Sequence, residues 1–425
     1  MIVRNKSNEI GELLSVLLIV SASHIAFAEA AEKLPNYKEE TLTGDWGGAR
    51  TDLTKKGIDF NLVHKSDGLA NASGGSKRGA AWDGHTELGL SLDLEKLAGW
   101  NATSAYVLYY SQLGSKFNSN FVGSNAGVDN IEVTTNTAQF YQAWLQKNFF
   151  NDQLSLLAGL YAVDTEFQVN DTAGLFINPI YGVSSEFSQS GQAGPAIFPV
   201  GALATRVKYT TSDNSFYAMG ALTDGVPGDP NNPHGMHIKL GRGDGTFSIA
   251  EFGYTPQTAG LAEDAEMFNK YAIGIWRYSA KLPNLDPASS DTHRSQGVYV
   301  LGERSLYVEQ GRPAQGLAGF VRLGFAPEET QQVDWSGAAG LRYHGLFDGR
   351  DDDIAGIALA TSRAGNLYRN LNGSDRYETN LELTYRAQIK PWLTLQPDVQ
   401  YIINPNMGLN LQDAWVLGVR TELNF

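Results

Sequence analysis

The sequence predicts an all-β chain, a sixteen-stranded antiparallel transmembrane barrel with a short helix before its first strand and an inward-folded third loop. Three observations predict it. Polar and apolar residues alternate along segments too long for ordinary sandwich strands, the chain starts with an export leader, and the links between strands alternate between short and long.

The leader comes first. Arg4 and Lys6 precede the apolar run Leu13–Val20, and Ala26-Phe27-Ala28 supplies a small-residue cleavage site. The run is too short to cross a bilayer as a helix, which takes about 20 apolar residues. The reading is cleavage after Ala28, an N-terminal periplasmic segment at 29–56, and a barrel at 57–425. No later segment is a helical span. The chain has no cysteine, so its cohesion must come from core and sheet. Its net charge of −14 speaks against nucleic acid as a partner. A mean hydropathy just below zero is compatible with a membrane barrel, which shows its apolar face only in alternation.

The segment 47–56 reads as a short helix. Thr43 and Asp45 can cap it and Gly57 can end it. Trp46, Ala49 and Leu53 then share one face. Such a helix either shapes the exit of the barrel or only seals the start of the first strand.

Candidate strands follow at 57–66, 83–97, 101–112, 137–149, 152–162, 203–211, 214–223, 235–241, 246–254, 269–279, 296–307, 317–326, 335–346, 353–361, 378–390, 392–403 and 414–425. Alternation is cleanest near the end. In Asn380–Ile389 the odd positions are apolar or aromatic and the even ones polar, and 393–401 repeats the pattern. Pro397 takes an outward position and requires a break in the ladder. Strands of about nine to eleven residues suit a tilted bilayer crossing. A single-chain barrel of this kind has an even strand number, with short turns on one rim and long loops on the other. Counting from both ends reconciles only if 235–241 is a loop. Sixteen strands remain, both ends lie on the short-turn rim, and 255–268 becomes an unusually long turn there. The external loops are then 67–82, 113–136, 163–202, 224–245, 280–295, 327–334, 362–377 and 404–413. The third holds 40 residues and is expected to fold inward and narrow the bore.

Five phrases, in order along the chain, resemble the carbohydrate-selective porins of the OprB family. They are Gly44-Asp45-Trp46-Gly47-Gly48-Ala49-Arg50 continuing to Gly57-Ile58-Asp59-Phe60; Leu92–Trp100; Ala158–Tyr161 leading to Asp164-Thr165-Glu166-Phe167; Ala250–Tyr254; and Pro391-Trp392-Leu393 with Gln396–Ile402. The resemblance implies a 16-stranded outer-membrane barrel of a Gram-negative bacterium that passes sugars. It also implies that the aromatic Phe425 on the last strand is read by the barrel assembly machinery. Outer-membrane lipid is the expected surrounding.

A neutral sugar has flat faces of axial hydrogens and a rim of hydroxyls. A path for it combines paired charges or amides with an aromatic ring, and binding must stay weak enough for release. The residues expected at the constriction are Arg78, Trp82, Asp164, Glu166, Asn178 and Arg206. Arg322, Arg342, Glu382, Arg386 and Arg420 are further inward-facing charges. For each, the alternative is a solvated wall or loop charge with a structural partner.

No cofactor, metal or catalytic residue is assigned. His234-x-x-His237 lacks a third ligand nearby, and Asp351-Asp352-Asp353 reads as a wet turn, with a weak calcium site as the alternative. There is no phosphate loop, Gly-x-Ser-x-Gly or His-Glu-x-x-His motif. A sugar-selective channel is the expected function. A non-selective porin and a barrel enzyme are the alternatives.

Overall fold

The computed structural model describes residues 34–256 and 267–425. The expected leader and most of the 255–268 turn lie outside the described residues. Sixteen strands close into one antiparallel barrel: β1 Ile58–Gly75, β2 Gly79–Asp93, β3 Thr103–Gly114, β4 Thr137–Phe149, β5 Leu154–Tyr161, β6 Ala202–Thr210, β7 Phe216–Asp224, β8 Thr246–Tyr254, β9 Asn269–Tyr278, β10 Gln296–Glu309, β11 Arg312–Phe325, β12 Val333–His344, β13 Ile354–Ala364, β14 Tyr377–Lys390, β15 Leu393–Ile403 and β16 Gln412–Asn424. Each strand pairs with its sequence neighbour, and β1 meets β16 with Val63 opposite Asn424 and Ala70 opposite Leu417.

Inside-out alternation sets the register, because successive side chains point to opposite faces. Along β14 the even residues Glu378, Asn380, Glu382 and Thr384 are buried, while Leu381 and Leu383 stand outside, 38% and 57% exposed. Val207, Leu222, Ile275, Val321, Leu359 and Leu417 are likewise exposed on the outer face. So continuous an apolar surface suits hydrocarbon. Aromatic rings gather along it, with Phe216 and Tyr254 stacked at 4.7 Å and Tyr401 against Trp415 at 4.6 Å.

Residues 235–241 form no strand. Pro397 interrupts the β14–β15 ladder, which passes from Thr384–Asp398 to Ala387–Leu395 with no pair between. Two expectations are corrected. The segment 67–82 is mostly strand: β1 and β2 continue through it, with Ala70 opposite Ala80, and only 76–78 is left as a turn. Its outward residues are Gly68, Ala70 and Ala72, so no apolar pattern marks it. The predicted strand 83–97 stops at Asp93, whose Oδ1 accepts the N–H of Glu95 (3.0 Å) and of Lys96 (3.1 Å), capping the helix Leu94–Ala98.

The helix Ala49–Lys55 is present where the sequence placed it, and Gly57 follows it with φ +91°. Asp45 supports it, accepting from Thr51 N–H and Oγ1 at 2.8 Å each. The decisive residue is Arg50, 2% exposed, whose NH1 donates to the Phe425 carbonyl and NH2 to the Phe60 carbonyl, both at 2.8 Å. Its guanidinium lies 4.3 Å from the Tyr37 ring centre and 5.3 Å from that of Phe60. The Leu42 N–H donates to the Asn424 carbonyl at 2.8 Å. The N-terminal segment therefore fastens the β1–β16 seam.

The 162–201 link folds into the bore. Its backbone polar groups are satisfied by the inner wall, as burial requires. Glu382 accepts the N–H of Ile177 (2.6 Å) and of Asn178 (2.9 Å). Glu303 accepts from the Thr172 N–H at 2.9 Å. Arg322, 1% exposed, donates to the carbonyls of Gln168, Ile180 and Gly182. The 115–136 link also folds inward, which the sequence reading did not foresee. Its Ser124 hydroxyl and the N–H groups of Asn125 and Ala126 donate to Glu378 on the far wall at 2.7–2.9 Å. The two loops meet where Asn130 N–H donates to the Ile177 carbonyl, 2.9 Å.

Candidate functional site

The two inward loops divide the bore. On the β5–β11 side, Phe167 and Phe187 of the long loop pack with Tyr217, Phe247, Ile249, Trp276, Tyr278 and Tyr299 into an apolar core. On the other side a cavity of about 420 Å³ remains. Its outer wall is formed by the contiguous strands β12 to β16 and β1 to β4.

Charges of both signs line that wall in pairs. Lys65 Nζ is 3.6 Å from Glu87 Oε1, and Arg386 NH2 is 3.3 Å from Glu422 Oε1. Arg420 NH2 is 2.6 Å from Asp67 and 3.1 Å from Asp129, and donates to Asn130 Oδ1 at 2.7 Å. His85 Nε2 lies 2.6 Å from Glu87 Oε1. The remaining wall comes from the loops and is largely apolar: Ile131, Leu175, Pro179, Val183, Ile197 and Phe198.

Of the six residues expected at the constriction, Asp164 borders the cavity. It accepts from the Tyr141 hydroxyl at 2.9 Å and from the Phe198 N–H at 3.0 Å, and burial pushes its carboxyl up to about 6. Glu166 and Arg206 do come together, Nε to Oε2 at 2.8 Å, but as a wall pair. Tyr161 donates to Glu166 at 2.6 Å, and Arg206 also donates to Ser155 Oγ (2.7 Å) and Gln146 Oε1 (2.8 Å). Asn178 is 1% exposed; its Oδ1 accepts from Ile180 N–H at 3.1 Å, and its Nδ2 donates to the Gly127 carbonyl and Gln400 Oε1, both at 2.9 Å. It ties the two loops to the wall.

One placement is corrected. Trp82 has outward parity: it is 46% exposed, and its Nε1 donates to Ser66 Oγ on the outer face. Arg78 is exposed in the 76–78 turn and is not among the residues that line the cavity. Both placements rested on a loop between 67 and 82, and strand pairing there sends Trp82 to the outside.

Among the other inward charges, Arg342, Arg386 and Arg420 border the cavity, whereas Arg322 and Glu382 hold the long loop. The sequence reading missed Lys65, His85, Glu87 and Phe198. Parity within the expected strands 57–66 and 83–97, with Lys65 on the first and His85-x-Glu87 on the second, carries the signal for the first three. His234 and His237 sit on an exposed loop, where His237 Nε2 approaches the His234 carbonyl at 2.9 Å. In the acidic triplet, Asp353 is bound by Arg350 at 2.6 and 2.9 Å and by the Gln388 N–H at 2.8 Å.

Comparison with known proteins places this geometry. Residues 77–425 match the family described as carbohydrate-selective porin, OprB family. Porin B of Pseudomonas aeruginosa is 26% identical over 453 aligned positions, covering 97% of this chain and 96% of that protein. A putative porin, QuiX, of Acinetobacter baylyi is 26% identical over 432 positions, covering 90% and 93%. The high-pH structure of Pseudomonas putida OprB superposes with a TM-score of 0.81 at 22% identity, covering 92% of this chain and 99% of that one. The outer-membrane channel DcaP of Acinetobacter baumannii superposes with a TM-score of 0.55 at 10% identity, covering 87% of this chain and 98% of that one. With its barrel, its divided bore and a match spanning most of its length, the chain belongs to the OprB family of carbohydrate-selective porins of the Gram-negative outer membrane.

Proposed function

We propose that the protein passes small neutral sugars, mono- and short oligosaccharides such as glucose, by passive diffusion through the cavity between the loops and the charged wall. The observation that carries this reading is the contrast between the two sides of the cavity. Paired charges offer donors and acceptors to hydroxyls, while their close pairing leaves little net field to sort ions by sign. The loop side offers apolar surface to the carbon faces of a sugar ring. Each contact is weak and several are available along the path, which favours entry followed by release.

The leader 1–28, and recognition of β16 and Phe425 by the barrel assembly machinery, belong to the same reading. So does the view that the protein performs no chemistry on what it passes.

Planar-bilayer recording tests it. Purified protein should form open channels whose potassium chloride current falls as glucose is added, with glucose recovered unchanged. Channels that ignore sugars would support a non-selective porin, and turnover of lipid or peptide would support an enzyme.

A further inference from the structure

We infer that Phe198 is the ring against which a sugar stacks at the constriction, so that the channel favours pyranoses with flat carbon faces over open-chain polyols. This deepens the sugar-passage reading and rests on it.

Three aromatic rings border the cavity: Tyr110, Tyr141 and Phe198. Tyr110 and Tyr141 are buried, 1% and 6% exposed, and their hydroxyls are committed. Tyr141 donates to Asp164 at 2.9 Å, and Tyr110 donates to the Pro199 carbonyl. Phe198 is only partly buried and is among the residues that line the cavity. The outward position of Trp82 removes the other aromatic candidate named from sequence.

The ring is held from several directions. The Asp164 carboxylate accepts the Phe198 N–H at 3.0 Å. The carbonyl of the next residue, Pro199, accepts from Gln139 Nε2 at 2.9 Å. His85 lies 5.6 Å from the ring centre at 80°, and Tyr141 lies 6.0 Å away at 77°. A rigid ring loses little freedom when a solute packs on it. The polar complement is adjacent, since His85 contacts both the ring and Glu87.

The chemistry follows from shape. An all-equatorial pyranose turns its hydroxyls outward around the rim and leaves axial hydrogens on its faces. It can contact an aromatic surface while its rim meets paired charges. A linear hexitol carries the same kind of hydroxyls without a fixed flat face, so it gains little from the ring. Asp164 is a positioning residue here, acting through the Phe198 backbone.

The test compares glucose with sorbitol as blockers of single-channel current. Phe198→Leu keeps apolar bulk and removes the ring. Stacking on an aromatic contributes about 0.5–1.5 kcal/mol, so the half-blocking concentration of glucose should rise about two- to thirteen-fold. Sorbitol block should change much less than glucose block, and Phe198→Tyr should keep the glucose preference. Equal glucose block in wild type and the leucine variant, or equal weakening for glucose and sorbitol, overturns the assignment. Should the leucine variant fail to assemble, Phe198→Tyr and Phe198→Trp decide it: both must block more strongly with glucose than with sorbitol, and loss of the difference in both overturns it. A wild-type channel that glucose does not block overturns the sugar-passage reading itself, and the assignment falls with it.

Discussion

The two halves of the bore are built on opposite principles. Between β5 and β11 the inner wall carries Tyr217, Met219, Phe247, Ile249, Trp276 and Tyr299, and the long loop covers them with Phe167 and Phe187. Across β14–β16 and β1–β2 the inner wall carries Lys65, Glu87, Arg386, Arg420 and Glu422 and stays open to the cavity. Both halves show lipid the same apolar exterior. The first half is a protein core that happens to lie inside a barrel, and the second is a channel wall. The plug gives the channel its loop side, because Phe198, Ile197 and Val183 stand on the same segment that seals the apolar half. Width and recognition are therefore joined.

Removing 176–192 should break this division most severely. It deletes Phe187, the two N–H groups bound by Glu382 and two of the three carbonyls bound by Arg322, and it exposes the apolar half to water. Single-channel conductance should rise several-fold and sugar block should disappear. A wild-type conductance in this variant would show that the loop does not set the width.

Trp276→Ala strikes the plug without shortening the chain. The side chain is 2% exposed and lies 5.7 Å, ring centre to ring centre, from Phe187. The loss should be about 3–5 kcal/mol, as for other large aromatic truncations. Heat- and detergent-induced unfolding should occur at lower temperature, with noisier channel openings.

A smaller effect is expected from Asp164→Asn. In the wild type, burial holds the Asp164 carboxyl up at about 6. A carboxyl raised above its unfolded value of about 3.9 disfavours the folded state once ionised, so loop anchorage weakens as pH climbs from about 4 to about 6 and is level above that. Loop closures in current traces should be rarer at low pH in wild type, and the asparagine variant should lose that portion of the pH dependence. An unchanged pH profile would remove Asp164 from the account.

The smallest change belongs to Arg78→Ala. The residue lies in the exposed 76–78 turn, outside the cavity lining. Glucose block should remain within about two-fold of wild type, the range expected of a surface substitution. A large loss would return Arg78 to the pathway.

The clarity of the sequence pattern tracks this same division. Alternation is plainest in β14, β15 and β16, where the inner face meets polar groups and the outer face meets lipid. It fades in β7, β8 and β9, because Tyr217, Phe247 and Trp276 make the inner positions apolar as well. In the first hairpin the outer face is small, Gly68 and Ala70, so the strand looked like a loop and Arg78 and Trp82 were placed in the channel. Asp164 was found because it opens the long loop, whereas Phe198 lies at the end of that loop with no motif around it.

The sequence by itself determined the barrel, its strand number, the helix before β1 and the insertion of the long loop. These depend on local periodicity, turn length and the limited ways a long segment can satisfy its backbone. Which residues border the open path was decided only by tertiary structure. That choice depends on where 115–136 and 162–201 come to rest, and their positions are set by bonds to strands far away in sequence, such as Ser124 to Glu378 and Ile177 to Glu382. No local pattern encodes a contact between groups more than two hundred residues apart.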